Sequence, residues 1–237
     1  MAAKQTQRYK VSQKDLEFIM GTAYHRMMLE VGKVMRSRRT ASFDLKRLAP
    51  YFVRMAIHRQ VGRNATKVSF PKPWSFEDIV AWLVYYTERS RKLLEDEDLS
   101  PLLMEVSLAP YPLDPDRGIY VETKPDLIAR HQTSGCLGVY DYKTVSPKQY
   151  QRYLDVKEGR AAASQLNLDL LTSYGAAAEY DSHEVGEQVT TVGFIAVPRV
   201  PLSVDRLDVV LVAMPFERSD VKSWRRRRLD SILKSNS

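Results

Sequence analysis

The stretch Lys124–Thr144, KPDLIARHQTSGCLGVYDYKT, decides how the chain folds. Its middle, His131–Gly135, has the composition of a turn, and apolar runs flank it on both sides. Gly135 supplies a backbone angle that residues with a Cβ resist. The pattern predicts a β-hairpin. With the turn centred between Thr133 and Ser134, Asp126 stands opposite Asp141 on one face of the ribbon, the Cβ atoms roughly 5 Å apart. Lys143, two residues beyond Asp141, falls on that face as well because strand side chains alternate. The same register sets Lys124 against Lys143, an unfavourable pair, so either the pairing ends at Asp126 or an anion sits between the two.

Two carboxylates that close repel each other unless one is protonated or a cation lies between them. Oxygen-only donors select a hard ion such as Mg²⁺ or Mn²⁺, which keeps waters and takes phosphate oxygens as further ligands. The neighbouring lysine can orient or deprotonate an attacking water, or offset charge that builds on the phosphate in the transition state. This is phosphodiester hydrolysis chemistry. The competing reading is a solvated sheet face that carries Asp near one end and Asp-Tyr-Lys near the other, and the hairpin alone leaves both open.

Working outward, the chain after residue 100 reads as strands: Leu103–Leu108, Ile119–Arg130, Cys136–Lys143, Val189–Val197 and Leu207–Met214 are rich in β-branched or aromatic residues. A helix at about Ala161–Ala177 falls between the third and fourth, and a last helix begins near Ser219 and carries Trp224. Before residue 100 the pattern is helical. Apolar residues recur at spacings of three and four from Gln13 to about Arg36, a second helix spans Asp44 to about Arg59, and a third starts near Ser75. Asp78, three residues after Ser75, completes a capping-box-like start. Helices followed by strands with a crossover helix predict an α/β fold, helices covering a central mixed β-sheet, in a single domain over residues 1–237. Residues 1–99 form its helical N-terminal part and residues 100–237 its sheet-containing core.

Composition narrows the function. The chain has 237 residues, 44% hydrophobic and 27% charged, enough to bury one core. No apolar run reaches the ~18 residues of a membrane helix and the first ten residues are polar, so a cytoplasmic protein with no membrane partner is expected. One cysteine, Cys136, excludes a disulfide framework, a four-cysteine zinc site and a cysteine-ligated iron–sulfur cluster, and suits a reducing compartment as a small buried strand residue. The 36 Lys and Arg outnumber 29 Asp and Glu, leaving a net charge of +7 that favours a polyanionic partner. Arg36, Arg38 and Arg39 form one basic cluster and Arg225–Arg228, after Trp224, another. Each reads either as a grip on a phosphate backbone, Trp224 stacking on a base, or as a solvated helix face with the tryptophan packed inward.

Pro125-Asp126 followed by Asp141-Tyr142-Lys143 resembles the signature of the PD-(D/E)XK nuclease superfamily. Gly21-Thr22-Ala23-Tyr24-His25 with Met28-Leu29-Glu30 is similar to the helical segment of its RecB-like branch, Glu105 to that branch's upstream acidic residue, and Gln165 to its downstream glutamine. These elements occur in the branch's order. The resemblance implies a restriction-endonuclease-like core and a Mg²⁺- or Mn²⁺-dependent deoxyribonuclease, an exonuclease by preference. Asp126 and Asp141 would be metal ligands, helped by the main-chain carbonyl of Tyr142; Glu105 and His25 would complete the metal shell. Lys143 would be the catalytic lysine, and Gln165 would orient water, lysine or phosphate. DNA would be the substrate, other recombination or replication proteins possible partners, and recombination, repair or phage DNA processing in a bacterial or phage-infected cell the setting. A structure-specific endonuclease, or a DNA-binding or partner-docking module with little turnover, are the alternatives. Two departures stand out: the branch's tyrosine four residues after the glutamine is Asp169 here, the nearest tyrosine being Tyr174, and the iron–sulfur cysteines are missing.

Overall fold

The computed structural model describes residues 7–37, 44–62, 65–181 and 188–235. Helices begin where side chains take up the first free N–H groups. The first, α1 (Gln13–Ser37), follows a reciprocal pair in which Asp15 N–H donates to Ser12 Oγ at 3.1 Å and Ser12 N–H to Asp15 Oδ2 at 3.2 Å. Asp44 caps α2 (Leu45–Val61) by accepting from Arg47 N–H at 3.1 Å. Ser75 and Asp78 form the expected capping box of α3 (Phe76–Asp96).

The chain divides into two compact units. The first comprises Met1–Leu93, Lys143–Tyr150 and Ala196–Val209. It contains the three helices and a parallel pair of short strands, β1 (Gln7–Lys10) and β2 (Ala65–Ser69). Its core is aromatic: Trp82 is fully buried and donates its indole N–H to the Pro198 carbonyl at 2.8 Å, and the hydroxyls of Tyr24 and Ser90 meet at 2.5 Å. Polar tips satisfied in this way let large rings stay buried. A Cβ at Gly21 would come 3.3 Å from Thr144 Oγ1, so glycine there lets α1 approach the residue that follows Lys143.

The second unit comprises Leu94–Tyr142, Gln151–Ile195 and Val210–Ser237. The further strands, in chain order, are β3 (Leu99–Met104), β4 (Tyr111–Asp114), β5 (Ile119–Val121), β6 (Leu127–His131), β7 (Leu137–Val145), β8 (Val189–Pro198) and β9 (Val210–Pro215), of which β7 from Lys143 and β8 from Ala196 count with the first unit. Five of them form one sheet in the order β3-β6-β7-β8-β9, while β4 and β5 make a separate antiparallel hairpin. β3 and β6, and β6 and β7, pair antiparallel. β7 and β8 run parallel: Leu137 N–H reaches the Gln188 carbonyl at one end and Arg199 N–H the Val145 carbonyl at the other. Phe216 N–H donates to Thr190 as β9 returns antiparallel, so the sheet is mixed and the fold α/β. A parallel pair needs a crossover, and α4 (Pro147–Lys157) with α5 (Leu168–Tyr180) supplies it. Tyr153 of α4 packs edge-on against Phe194 of β8 at 5.6 Å. The final helix, α6 (Arg218–Ser235), buries Trp224 against Leu113 and Ala176.

Several element boundaries differ from the sequence pattern. The expected strand Ile119–Arg130 is two, β5 and β6, because Pro125 lacks the N–H a ladder requires. The segment expected at Leu103–Leu108 ends at Met104, where Glu105 turns the chain with φ of 48°. The single helix expected at Ala161–Ala177 is a 3-10 turn, Ala163–Gln165, followed by α5, whose start is capped by Asn167. Cys136 is half-exposed at the end of the hairpin turn rather than buried in a strand.

Candidate active site

The hairpin adopts the expected register. Leu127 pairs with Tyr140, Ile128 with Val139, Ala129 with Gly138 and Arg130 with Leu137. His131 N–H and the Cys136 carbonyl close the turn at 2.9 Å, and Gly135 takes a positive φ of 73°. Continued by one step, this register sets Asp126 opposite Asp141. The ladder stops at Leu127, and the Asp126 carboxylate instead accepts the main-chain N–H of Tyr142 through Oδ2 at 2.8 Å. Lys124, beyond the end of the ladder, turns to Glu105, with Nζ 3.4 Å from Oε2. Glu105 N–H in turn donates to the Asp126 carbonyl at 3.1 Å, which joins the end of β3 to the start of β6.

Asp141 lies in the middle of β7 and is only 3% exposed. Its carboxylate is hydrogen-bonded with the side chain of Tyr174 on α5. Burial first, then the charges of Asp141 and Asp126, holds the Tyr174 phenol well above its ordinary range. Burial and the Asp141 charge push Tyr153 up to about 12. The charge of Asp141 thus acts on both phenols in the same direction. Tyr174 stands where sequence spacing gave no lead, since 33 positions separate it from Asp141. The one available signal was its being the nearest tyrosine after Gln165.

Lys143 is half-buried on β7, and strand alternation sets it on the same face as Asp141. The wider ligand shell expected from the sequence is not assembled. Among the described residues, no three His, Cys, Asp or Glu side chains come together to hold one metal ion. Glu105 follows β3 instead of lying within it, and its carboxylate is drawn toward Lys124. His25 is half-buried on α1, edge-on to Tyr24 at 6.4 Å between ring centroids. Gln165 sits exposed in the 3-10 turn, with no hydrogen bond from its side chain to Asp126 or Asp141. What remains is Asp141 deep in β7 and Asp126, just before β6, tied to β7 through the Tyr142 N–H. Carboxylate oxygens are the hard donors that suit a divalent cation which completes its shell with water and phosphate.

A groove of about 480 Å³ in the second unit reaches Tyr174. Lys124, Arg227 and Arg228 line it, together with Asn167, Ser173 and Ser231. Arg227 is held by Asp169 at 2.7 Å. Of the two readings the sequence left open for Trp224, the structure has the inward-packed one: at 3% exposure it lies on Leu113, Ala176 and the ring of Tyr111 and anchors α6. Arg225 is half-buried and donates through Nε to the Leu113 carbonyl at 2.5 Å, whereas Arg226 points to solvent. Arg36 is exposed at the end of α1, while Arg38 and Arg39 lie outside the described residues.

Comparison with known proteins gives a family match and a distant structural likeness, which differ in weight. A family model described as the PD-(D/E)XK nuclease superfamily matches residues 3–227. Among solved structures, one of LHK-Exo in complex with dAMP aligns over 94% of both chains with 10% identity and a TM-score of 0.38. No curated protein matches the sequence.

Proposed function

The chain belongs to the PD-(D/E)XK nuclease superfamily, and from that premise we propose that it is a Mg²⁺- or Mn²⁺-dependent deoxyribonuclease, an exonuclease, with Asp126, Asp141 and Lys143 at its centre. The observation that carries this reading is the Asp126–Tyr142 hydrogen bond, which fixes one carboxylate beside the strand that bears the other. Asp126 and Asp141 would hold the cation, with the Tyr142 carbonyl available as a third oxygen. A bound divalent ion supplies Lewis acidity toward a phosphoryl oxygen. Lys143, on the same face, holds an attacking water or offsets the charge that grows on the phosphate. Tyr174, neutral and hydrogen-bonded to Asp141, orients that carboxylate and shields it from bulk water. Glu105, His25 and Gln165 take part through water or after substrate arrives.

Lys124, Arg227 and Arg228 would lead the phosphate backbone along the groove toward Tyr174. Cations that contact phosphates bind without reading bases, and the preference for ends follows the resemblance of the motifs to the RecB-like branch. The test is incubation with end-labelled linear and closed circular DNA in Mg²⁺, Mn²⁺ or EDTA. Metal-dependent shortening of the linear form alone is expected. Nicked circles would instead identify an endonuclease, and a gel shift without cleavage a binding module.

A further inference from the structure

We propose that the apolar groove between α2 and α3 is a self-association face, which pairs with the same groove of a second copy about a two-fold axis along its length. The groove has a volume of about 590 Å³ and lies wholly within the first unit. Pro50, Phe76, Val80, Val84 and Tyr85 make its floor. Its rim carries four exposed charges, Lys46 and Arg54 on α2, Glu77 and Glu88 on α3. A face that is charge-balanced in a chain of net +7 suits a protein surface better than a polyanion.

The arrangement of the charges selects the occupant. The Arg54 guanidinium lies 5.4 Å from the centre of the Phe76 ring, so the later part of α2 stands beside the start of α3 and the two helices run in opposite senses along the groove. Lys46 and Glu88 therefore mark one end, Arg54 and Glu77 the other. One wall is basic and the other acidic. A two-fold axis along the groove lays each basic wall on the partner's acidic wall, twice over, while the apolar floors meet between them. An axis across the groove would stack like charges. The 17-residue α2 is about 25 Å long, and two helix widths of ~10 Å give a footprint of roughly 500 Å² per copy, the lower end for specific association. A weak, concentration-dependent dimer is therefore expected.

Light scattering of the full chain after size exclusion, across the micromolar range, tests this. The mass should climb from 27.2 kDa toward twice that value with concentration. Ala81→Arg, at an exposed helix position in the groove, should leave the monomer at every concentration. Lys46→Glu should weaken the dimer about tenfold, and Lys46→Glu combined with Glu88→Lys should restore it, since only a second copy of the same chain carries the compensating change. Circular dichroism checks that each variant is folded. A monomer throughout, a dimer indifferent to Ala81→Arg, or no recovery in the double variant would overturn the proposal. None of these residues belongs to the nuclease centre, so the outcome is independent of whether the chain cuts DNA.

Discussion

The main-chain N–H of Tyr142 donates to the Asp126 carboxylate at 2.8 Å, across the two strands of one hairpin. The residue lying between Asp141 and Lys143 thus orients the acidic group of the neighbouring strand. The side chain of Tyr142, 2% exposed, anchors that segment in the interior. Alternation along β7 thereby joins a buried aromatic to two polar neighbours that share the opposite face.

Replacing the centre should separate chemistry from folding. Asp141→Ala and Lys143→Ala are expected to lower metal-dependent cleavage by about a thousandfold or more. Asp126→Asn keeps an oxygen to accept from Tyr142, so its melting temperature should stay near that of the parent while cleavage is lost. Thermal denaturation and single-turnover assays on the same preparations check both halves.

Tyr174→Phe removes one hydroxyl from the buried carboxylate and nothing else. A net cost of about 1 kcal/mol in stability is expected. The Mg²⁺ concentration for half-maximal cleavage should move by several-fold, because Asp141 loses the group that orients it. A metal titration of activity reads this, and an unchanged midpoint would remove Tyr174 from the site.

Stability should fall at alkaline pH. A phenol whose folded-state pKa lies above its unfolded value contributes stability that is complete below about pH 10 and is lost as pH rises toward the folded value. Tyr153, pushed up to about 12, behaves in this way, and Tyr174 and Tyr140 shift in the same direction, each mainly through burial. Denaturant midpoints should hold up to about pH 10 and decline from there toward about pH 12, and Tyr153→Phe should flatten the decline.

Binding to DNA should lose affinity steeply with salt. Lys124→Ala and Arg228→Ala should each lessen the slope of log affinity against log salt by about one unit, with similar losses on unrelated sequences. Trp224→Ala should act differently: it removes a buried anchor, costs about 3–5 kcal/mol in stability and leaves the salt slope unchanged.

Much of this was legible in the residues themselves, for definable reasons. The hairpin register followed from a turn with one glycine between two apolar runs, and the start of α3 from Ser75 and Asp78. Family membership was legible too, from Pro125-Asp126 and Asp141-Tyr142-Lys143. The helix α4 was missed because only Tyr150 in it is buried, so it has little apolar periodicity. Its start was nevertheless signalled: Gln149 accepts from Ser146 N–H at 3.0 Å, a capping box with proline at the first helical position. The partnership of Tyr174 with Asp141 had no local signal, since it depends on how α5 packs on the sheet. Trp224 was ambiguous because a tryptophan before four arginines fits either a base platform or a helix anchor, and only burial separates them.

The four residues of the loop between His131 and Cys136 touch no part of the chemistry, yet they act as its ruler. One residue inserted or deleted there would shift β7 by a step against β6 and exchange the two faces of the strand, sending Tyr142 where Asp141 now points. Loop length is therefore tied to the proposed centre: apart from Gly135, these positions are bound first of all in number.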